Sequence, residues 1–149
     1  MDEKPRIMIV DDNPRARKAL SACLSTLDGF KVICEASNGE DALEKVESQT
    51  PDMVLMDIQM PVMDGLEATR IIKEHWPMIK VIILTLYEEY RSRAQQAGAD
   101  AFLVKGCSMD EMLSTIRSLN WMTVGTRRIQ DGQTITVDGS AGTVTLDSR

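Results

Sequence analysis

The sequence predicts an α/β domain in which helices cover both faces of a five-stranded parallel sheet. Five short runs are apolar at successive positions, as in strands that are buried on both faces. Helical periodicity separates these runs by about 10–15 residues, which is the pattern of repeated βαβ units. The pattern extends over about 120 of the 149 residues, enough for one domain with its own hydrophobic core.

Each predicted strand is an aliphatic run that ends near a charged or turn-forming residue. Runs this short are typical of strands and too short for most helices. The five runs lie at residues 6–10, 30–36, 53–56, 80–85 and 102–104.

The segments between the strands repeat apolar residues at helical spacing and carry helix start or stop signals. Pro14 suits the first turn of the first helix, and Asp28-Gly29 ends that helix. Ser108, with Glu111 three residues later, forms a capping box for the last helix. The predicted helices lie at about 14–27, 40–48, 65–75, 88–97 and 108–119.

The helical period is lost beyond residue 119. Residues 134–137 and 143–146 instead alternate β-forming residues around a glycine-containing turn, which predicts a β-hairpin. An isolated hairpin is only marginally stable in water. We therefore predict a main domain at 1–121 and a linker with a hairpin tail at 122–149 that is not an independent domain.

Composition and charge exclude several classes of protein. No apolar run approaches the length that spans a bilayer, and the amino terminus lacks the apolar stretch of a secretory signal. We therefore expect a cytoplasmic location and no membrane partner. The net charge of −6 argues against direct nucleic acid binding by this chain. Three widely spaced cysteines and one histidine do not form a zinc-binding pattern.

Polar residues that can carry chemistry follow four of the predicted strands. Asp11-Asp12 comes after the first strand and Asp57 after the third, while Thr85 and Lys105 close the fourth and fifth. The carboxyl ends of parallel strands meet at one edge of a sheet, where ligands of open α/β sheets bind. We therefore expect the three carboxylates, the hydroxyl and the ammonium to converge.

This set of groups suits a divalent cation and a phosphoryl group. Mg²⁺ prefers oxygen ligands and takes one or two carboxylates from a protein, and a cation also relieves the repulsion among adjacent carboxylates. Phosphoryl transfer needs charge neutralisation and positioning. Lys105 supplies a compact positive charge for a phosphoryl oxygen, and Thr85 supplies a hydroxyl donor.

The chain resembles the receiver domain of bacterial two-component response regulators, over residues 6 to about 120. The resemblance implies a flavodoxin-like fold with the strand order 2-1-3-4-5. The pieces that carry it are Val10-Asp11-Asp12, Asp57 with Met60-Pro61 and Asp64-Gly65, Leu84-Thr85, Gly98-Ala99, and Lys105.

The resemblance also implies the roles of the metal-site residues. Asp57 is the phosphoacceptor, which takes the phosphoryl group from a histidine kinase or phosphotransfer protein. Mg²⁺ is held by Asp12 directly, by Asp11 mainly through water, by Asp57, and by the backbone carbonyl of Gln59.

A second set of residues is implied to respond to phosphorylation. Thr85 moves toward the acyl phosphate, Lys105 pairs with it, and Phe102 changes rotamer in concert. The surface of the last two helices and the fifth strand then changes its protein contacts, including self-association. The resemblance implies a signalling switch with self-catalysed phosphoryl transfer and autodephosphorylation, and not a metabolic enzyme.

The sequence departs from the common receiver pattern at two positions. Gly106 follows Lys105 where many receivers carry a proline, and Leu86 is bulkier than the small residue common after the switch threonine. Asn13-Pro14 together with Lys105-Gly106 resembles the subfamily that usually carries a helix-turn-helix domain. We expect no such domain in residues 121–149, which are too few for it and lack its helical pattern.

The tail has a separate, short resemblance. Residues 131–144 are similar to the final strands of the phosphohistidine swivelling domain in phosphoenolpyruvate-utilising enzymes. The phosphorylated histidine of that family lies in a glycine-rich motif that this chain lacks, and His75 falls in a predicted receiver helix. The resemblance therefore assigns no catalytic role to the tail.

Two other functions remain open at this point. A Mg²⁺-dependent phosphohydrolase on a similar sheet often carries a second aspartate two residues after the nucleophile, where this chain has Gln59. A pseudo-receiver would act as a constitutive binding or dimerisation module. The complete acidic set disfavours the pseudo-receiver, whereas Leu86 and Gly106 are compatible with it.

Overall fold

A computed structural model describes residues 4–27 and 29–119, and it has the predicted architecture. Five parallel strands form one sheet in the order β2-β1-β3-β4-β5, which confirms the flavodoxin-like fold. The strands are β1 (Arg6–Val10), β2 (Lys31–Ala36), β3 (Met53–Met56), β4 (Lys80–Thr85) and β5 (Ala101–Val104). The helices are α1 (Pro14–Ser25), α2 (Gly39–Gln49), α3 (Gly65–His75), α4 (Arg91–Gln96) and α5 (Met109–Ser118).

Element boundaries differ from the predicted ones by a few residues. The first helix ends at Ser25 because its last turn tightens, with the backbone N–H of Thr26 donating to Cys23 O and that of Leu27 to Leu24 O. The predicted helix at 88–97 begins with a separate 3-10 turn, Glu88–Tyr90.

The predicted hairpin at 134–137 and 143–146 lies outside the described residues. The domain boundary after residue 121 and the cytoplasmic location remain predictions. Within the described part of the chain, no helix is long and apolar enough to cross a bilayer.

The sheet separates two hydrophobic cores. Successive strand residues alternate between them, so that Ile9 and Leu55 face one core while Val10 and Met56 face the other. Helices α1 and α5 cover the first core, and α2, α3 and α4 cover the second. The ends of β1 and β3 are therefore held from both faces of the sheet.

Side-chain caps fix the starts of α1, α3 and α5 at the carboxyl edge of the sheet. Asn13 Oδ1 accepts from the first-turn N–H groups of α1, and Asp64 Oδ1 accepts from Glu67 N at the start of α3. Ser108 Oγ accepts from Glu111 N in α5, as the predicted capping box requires. These caps fix where the loops after β1, β3 and β5 pass into their helices.

Lys73 joins α3 to the loops that precede β4 and β5. Its ammonium donates to Asp100 Oδ2 at 2.9 Å and to the carbonyl oxygens of Pro77 and Ile79 at 3.0 and 2.8 Å. Asp100 Oδ2 also accepts from Val81 N. The side chain of Lys73 is only 17% exposed, so these bonds are partly shielded from water.

We expect Lys73→Met to lower the free energy of unfolding by about 2 kcal/mol, because hydrogen bonds to charged groups in partly buried sites contribute about 1.5–3 kcal/mol. Arg70→Met is the matched control on the same helix. Arg70 is 53% exposed and, among the described residues, pairs only with acidic side chains of α3, so its loss should leave the unfolding midpoint nearly unchanged. Urea unfolding of both variants measures the difference, and equal midpoints would contradict it.

Candidate functional site

The backbone carries two aspartates to the same edge of the sheet. Asp11 N donates to Ala36 O at 3.1 Å and Asp57 N donates to Val10 O at 3.0 Å, so each continues the parallel ladder by one residue. Asp11, Asp12 and Asp57 each offer a carboxylate oxygen within 4.8 Å of the others. The three acids therefore lie together, as the strand-end pattern predicts.

Lys105 lies between two of these acids. Its ammonium donates to Asp11 Oδ2 at 2.8 Å and to Asp57 Oδ2 at 3.1 Å. Its backbone N–H donates to Thr85 O at 2.6 Å, which fixes the loop after β5 to the end of β4. One positive charge is thus shared between carboxylates that follow β1 and β3.

The remaining oxygens of the cluster differ in their partners. Asp11 Oδ1 accepts from Asn13 N at 2.9 Å, and Asp57 Oδ1 accepts from Ile58 N at 2.8 Å. Asp12 is exposed, and no hydrogen bond joins its carboxylate to the part of the chain that the structure describes. The Asp12 oxygens are thus open to a ligand from solution.

The two charged groups at the centre respond differently to burial. Desolvation raises the pKa of Asp57, and the nearby Lys105 charge and the Ile58 N–H oppose that rise without cancelling it. Desolvation also acts to lower the pKa of Lys105, but its hydrogen bonds and attraction to Asp11 and Asp57 together raise it. Lys105 is therefore held in its charged form, next to a carboxylate whose negative charge is poorly solvated.

A glycine permits the tight loop behind Asp57. Gly65 N donates to Ile58 O at 2.8 Å, which folds the loop back at the start of α3. A Cβ atom at Gly65 would lie only 1.8 Å from the carbonyl oxygen of Asp57. Only glycine can therefore occupy this position without moving the backbone of the candidate acceptor.

The other predicted site residues lie at the ends of, or beside, the neighbouring strands. Thr85 is buried at the end of β4. Phe102 in β5 is half-buried against the second core, and the guanidinium of Arg91 lies 4.6 Å from its ring centroid. Gln59 is exposed, and its side-chain amide donates to Tyr90 Oη at 3.1 Å.

The loop after β5 shows why glycine follows Lys105. Gly106 has φ of +97°, a left-handed conformation that proline cannot adopt. The described residues contain no cis peptide bond, so the Lys105-Gly106 bond is trans. Glycine, and not the common proline, therefore suits the left-handed backbone at position 106.

Sequence reasoning missed Arg17 as part of this region. Arg17 Nη1 donates to the carbonyl oxygen of Asp11 at 2.7 Å, and its Nε donates to Glu35 Oε1 at 3.0 Å. In the sequence, Arg17 is one of several basic residues on the first helix, next to Arg15 and Lys18. No local pattern distinguishes it from its exposed neighbours.

Comparison with known families agrees with this geometry. The response regulator receiver domain matches residues 7–117, which cover all five strands except Arg6 and all of α5 except Ser118. The chain belongs to the response regulator receiver family. The predicted resemblance is thereby confirmed, whereas the resemblance of residues 131–144 to a swivelling domain remains a prediction.

Several response regulators are similar to this receiver in sequence. Response regulator GacA of Pseudomonas viridiflava is 40% identical over 114 residues, which cover 75% of this chain and 53% of that protein. Response regulator protein VraR of Staphylococcus saprophyticus is 39% identical over 114 residues, covering 75% and 54%. The receiver chain thus spans about half the length of the curated relatives it matches.

A solved receiver structure bears directly on the acidic cluster. Response regulator TrrA from Thermotoga maritima, solved in complex with Mg²⁺ and a beryllium fluoride, is 38% identical. It aligns with a TM-score of 0.70, covering 76% of this chain and 96% of that one. A structural relative of this receiver therefore binds Mg²⁺ together with beryllium fluoride.

Proposed function

We propose that this receiver is a phosphorylation-dependent switch in which Asp57 accepts a phosphoryl group with the help of Mg²⁺. The observation that carries the proposal is the convergence of Asp11, Asp12 and Asp57 within 4.8 Å of one another beside the ammonium of Lys105. A carboxylate reacts with an anionic phosphodonor only where positive charge offsets their repulsion. The cluster brings an acceptor and compensating charge to one place.

The donor set fits Mg²⁺. Three carboxylates provide hard oxygen ligands, and the exposed Asp12 carboxylate accepts no hydrogen bond from the described residues. We assign Asp12 and Asp57 as direct ligands, Asp11 as a ligand through water, and the Gln59 carbonyl as the remaining protein ligand. When bound, Mg²⁺ would neutralise charge on the transferred phosphoryl oxygens.

The neighbouring residues would then stabilise the phosphorylated state. The Lys105 ammonium pairs with one phosphoryl oxygen once Asp57 Oδ2 carries the phosphoryl group, and the Thr85 hydroxyl donates to another. Phe102 repacks as Thr85 moves. An added dianion biases a two-state element in this way, as in other phosphorylation switches.

We propose that the receiver takes its phosphoryl group from a histidine kinase or phosphotransfer protein. Its output is a change in protein–protein contacts, or self-association, through α4, β5 and α5. We assign no direct nucleic acid binding to this chain because its net charge is −6. Phosphoryl transfer and autodephosphorylation are self-catalysed, without turnover of a metabolite.

Incubation with Mg²⁺ and a small-molecule phosphodonor tests the proposal. Intact mass should rise by one phosphoryl group, and the gain should disappear when the metal is chelated. The fluoride–beryllium mimic of an acyl phosphate should change the protein spectra in the same Mg²⁺-dependent way. An unaltered mass and spectra would favour a pseudo-receiver, and steady hydrolysis of a phosphomonoester would favour a phosphohydrolase.

Replacing Lys105 should separate metal binding from phosphoryl transfer. We expect Lys105→Gln to bind Mg²⁺ about tenfold more tightly, because removing about 1.4 kcal/mol of repulsion changes a binding constant tenfold. Phosphorylation should slow by about 100-fold, because a positioned charge that stabilises the transferred group is lost. Calorimetric titration and mass spectrometry measure the two effects.

Lys31→Gln is the control for the loss of one positive charge. Lys31 is exposed at the start of β2, at the amino-terminal end of the parallel strands and away from the acidic cluster. The Lys31→Gln variant should keep both the Mg²⁺ affinity and the phosphorylation rate within about twofold of wild type, since exposed distant charges are screened by salt. Equal Mg²⁺ affinity of wild type and Lys105→Gln would contradict the role given to the Lys105 ammonium.

A further inference from the structure

Arg17 connects the acidic cluster to the edge of the sheet. The residue lies in α1, and its side chain is only 16% exposed. Nη1 donates to the Asp11 carbonyl oxygen at 2.7 Å, while Nε donates to Glu35 Oε1 at 3.0 Å. One planar guanidinium thus joins a helix, the loop after β1 and the edge strand β2.

The bond to Arg17 completes the restraint on Asp11. The Asp11 carboxylate already accepts from Asn13 N and from Lys105, and Arg17 takes the carbonyl oxygen. That carbonyl belongs to the peptide that joins Asp11 to Asp12. Because the Asp12 carboxylate has no hydrogen bond to the described residues, the backbone that carries Asp12 limits where the carboxylate can reach.

We propose that Arg17 is a positioning residue for the magnesium site, acting through the Asp11–Asp12 peptide. The guanidinium bridges the Asp11 carbonyl oxygen and the Glu35 carboxylate and so fixes the peptide plane. The Asp12 carboxylate is thereby directed toward the other acids before a cation arrives. This inference rests on the proposed function, because it concerns the same metal site. Arg17 itself touches neither metal nor phosphoryl group.

Charge and position predict effects of opposite sign at Arg17. A positive charge near three carboxylates disfavours a cation, so removing it should by itself tighten Mg²⁺ binding. Loss of the bond to the Asp11 carbonyl should weaken binding instead, because groups that orient metal ligands typically change affinity by 10–100-fold. The direction of the change therefore reports which role Arg17 has.

Three variants in the full chain test the inference by calorimetric Mg²⁺ titration. Arg17→Gln should weaken binding about tenfold, at the lower end of the range for residues that orient ligands. Arg17→Lys keeps the charge but cannot keep both bonds of the planar fork, so it should weaken binding as well. Lys18→Gln is the matched control.

Lys18 is suited to that control because it shares one partner with Arg17. Its ammonium lies 3.6 Å from Glu35 Oε1, but its side chain is 71% exposed. Lys18→Gln should therefore bind Mg²⁺ as wild type does, or slightly more tightly. Loss of affinity in Lys18→Gln equal to that in Arg17→Gln would overturn the inference, because a general effect of charge or of Glu35 would explain both.

A second readout separates positioning from general damage. At saturating Mg²⁺, Arg17→Gln should accept a phosphoryl group from a small-molecule donor at a rate within about twofold of wild type, since excess cation restores the occupied site. A rate that stays low at saturating Mg²⁺ would overturn the positioning role.

The controls distinguish this inference from the proposed function. Wild-type protein that binds no Mg²⁺ would contradict the proposed function itself. Wild-type binding together with unchanged or tighter binding in Arg17→Gln and Arg17→Lys would overturn only the role of Arg17. If Arg17→Gln fails to fold, wild-type affinity in Arg17→Lys would overturn the inference and weakened affinity would support it.

Discussion

Asp57→Asn should abolish phosphorylation of this receiver. The variant should show no mass gain after incubation with Mg²⁺ and a phosphodonor, under conditions in which wild type gains one phosphoryl group. The reason is chemical, because an amide lacks the anionic oxygen that attacks phosphorus and forms the acyl phosphate. Asparagine has nearly the shape of aspartate, so the variant should still fold.

Asp12→Asn is the control within the same cluster. It removes a proposed metal ligand but leaves the acceptor carboxylate in place. Phosphorylation should therefore slow and need a higher Mg²⁺ concentration, but one phosphoryl group should still be added. A mass gain in Asp57→Asn would instead assign the acceptor to another residue and contradict the role proposed for Asp57.

Gly65→Ala should be the most destabilising single substitution in the loop behind Asp57. We expect it to lower the free energy of unfolding by at least about 3 kcal/mol, at the upper end of the cost of overpacking. The new Cβ would lie 1.8 Å from the Asp57 carbonyl oxygen and 2.8 Å from its carbonyl carbon. These atoms belong to the backbone, so no side-chain rotation can relieve the overlap.

Gly29→Ala is the control for replacing glycine as such. Gly29 has φ of +104°, and a Cβ atom there would meet no heavy atom of the described residues within 4 Å. Its cost should therefore be limited to the left-handed backbone, about 1–2 kcal/mol. Urea unfolding compares the two variants, and a Gly65→Ala protein as stable as Gly29→Ala would show that the loop can rearrange freely.

The fold and the acidic cluster were predictable because both follow from local patterns. An apolar run identifies a strand from its own residues, and parallel strands bring the residues that follow them to one edge. Asp11 and Asp57 could therefore be placed together although 46 positions separate them. Helix ends were less predictable, because the tightened turn after Ser25 depends on hydrogen bonds and not on hydrophobic period.

The supporting polar contacts were not predictable from the sequence. Arg17 meets Glu35, 18 residues away, and Lys73 meets Asp100, 27 residues away. Long charged side chains have several partners within reach, and the packing of helices on the sheet decides which one they meet. The same applies to the contact of Gln59 with Tyr90, which depends on the 3-10 turn that precedes α4.

The alternation of strand residues between two cores has a further consequence for signalling lifetimes. Asp11 and Asp57 directly follow strands whose neighbouring residues, such as Leu55 and Met56, pack on opposite sides of the sheet. We expect the loss of one methyl group from either core to move the same pair of carboxylates, because close-packed interiors transmit strain. Under the proposed function, substitutions in either core would therefore tune the lifetime of an acyl phosphate on Asp57 without changing a reactive group.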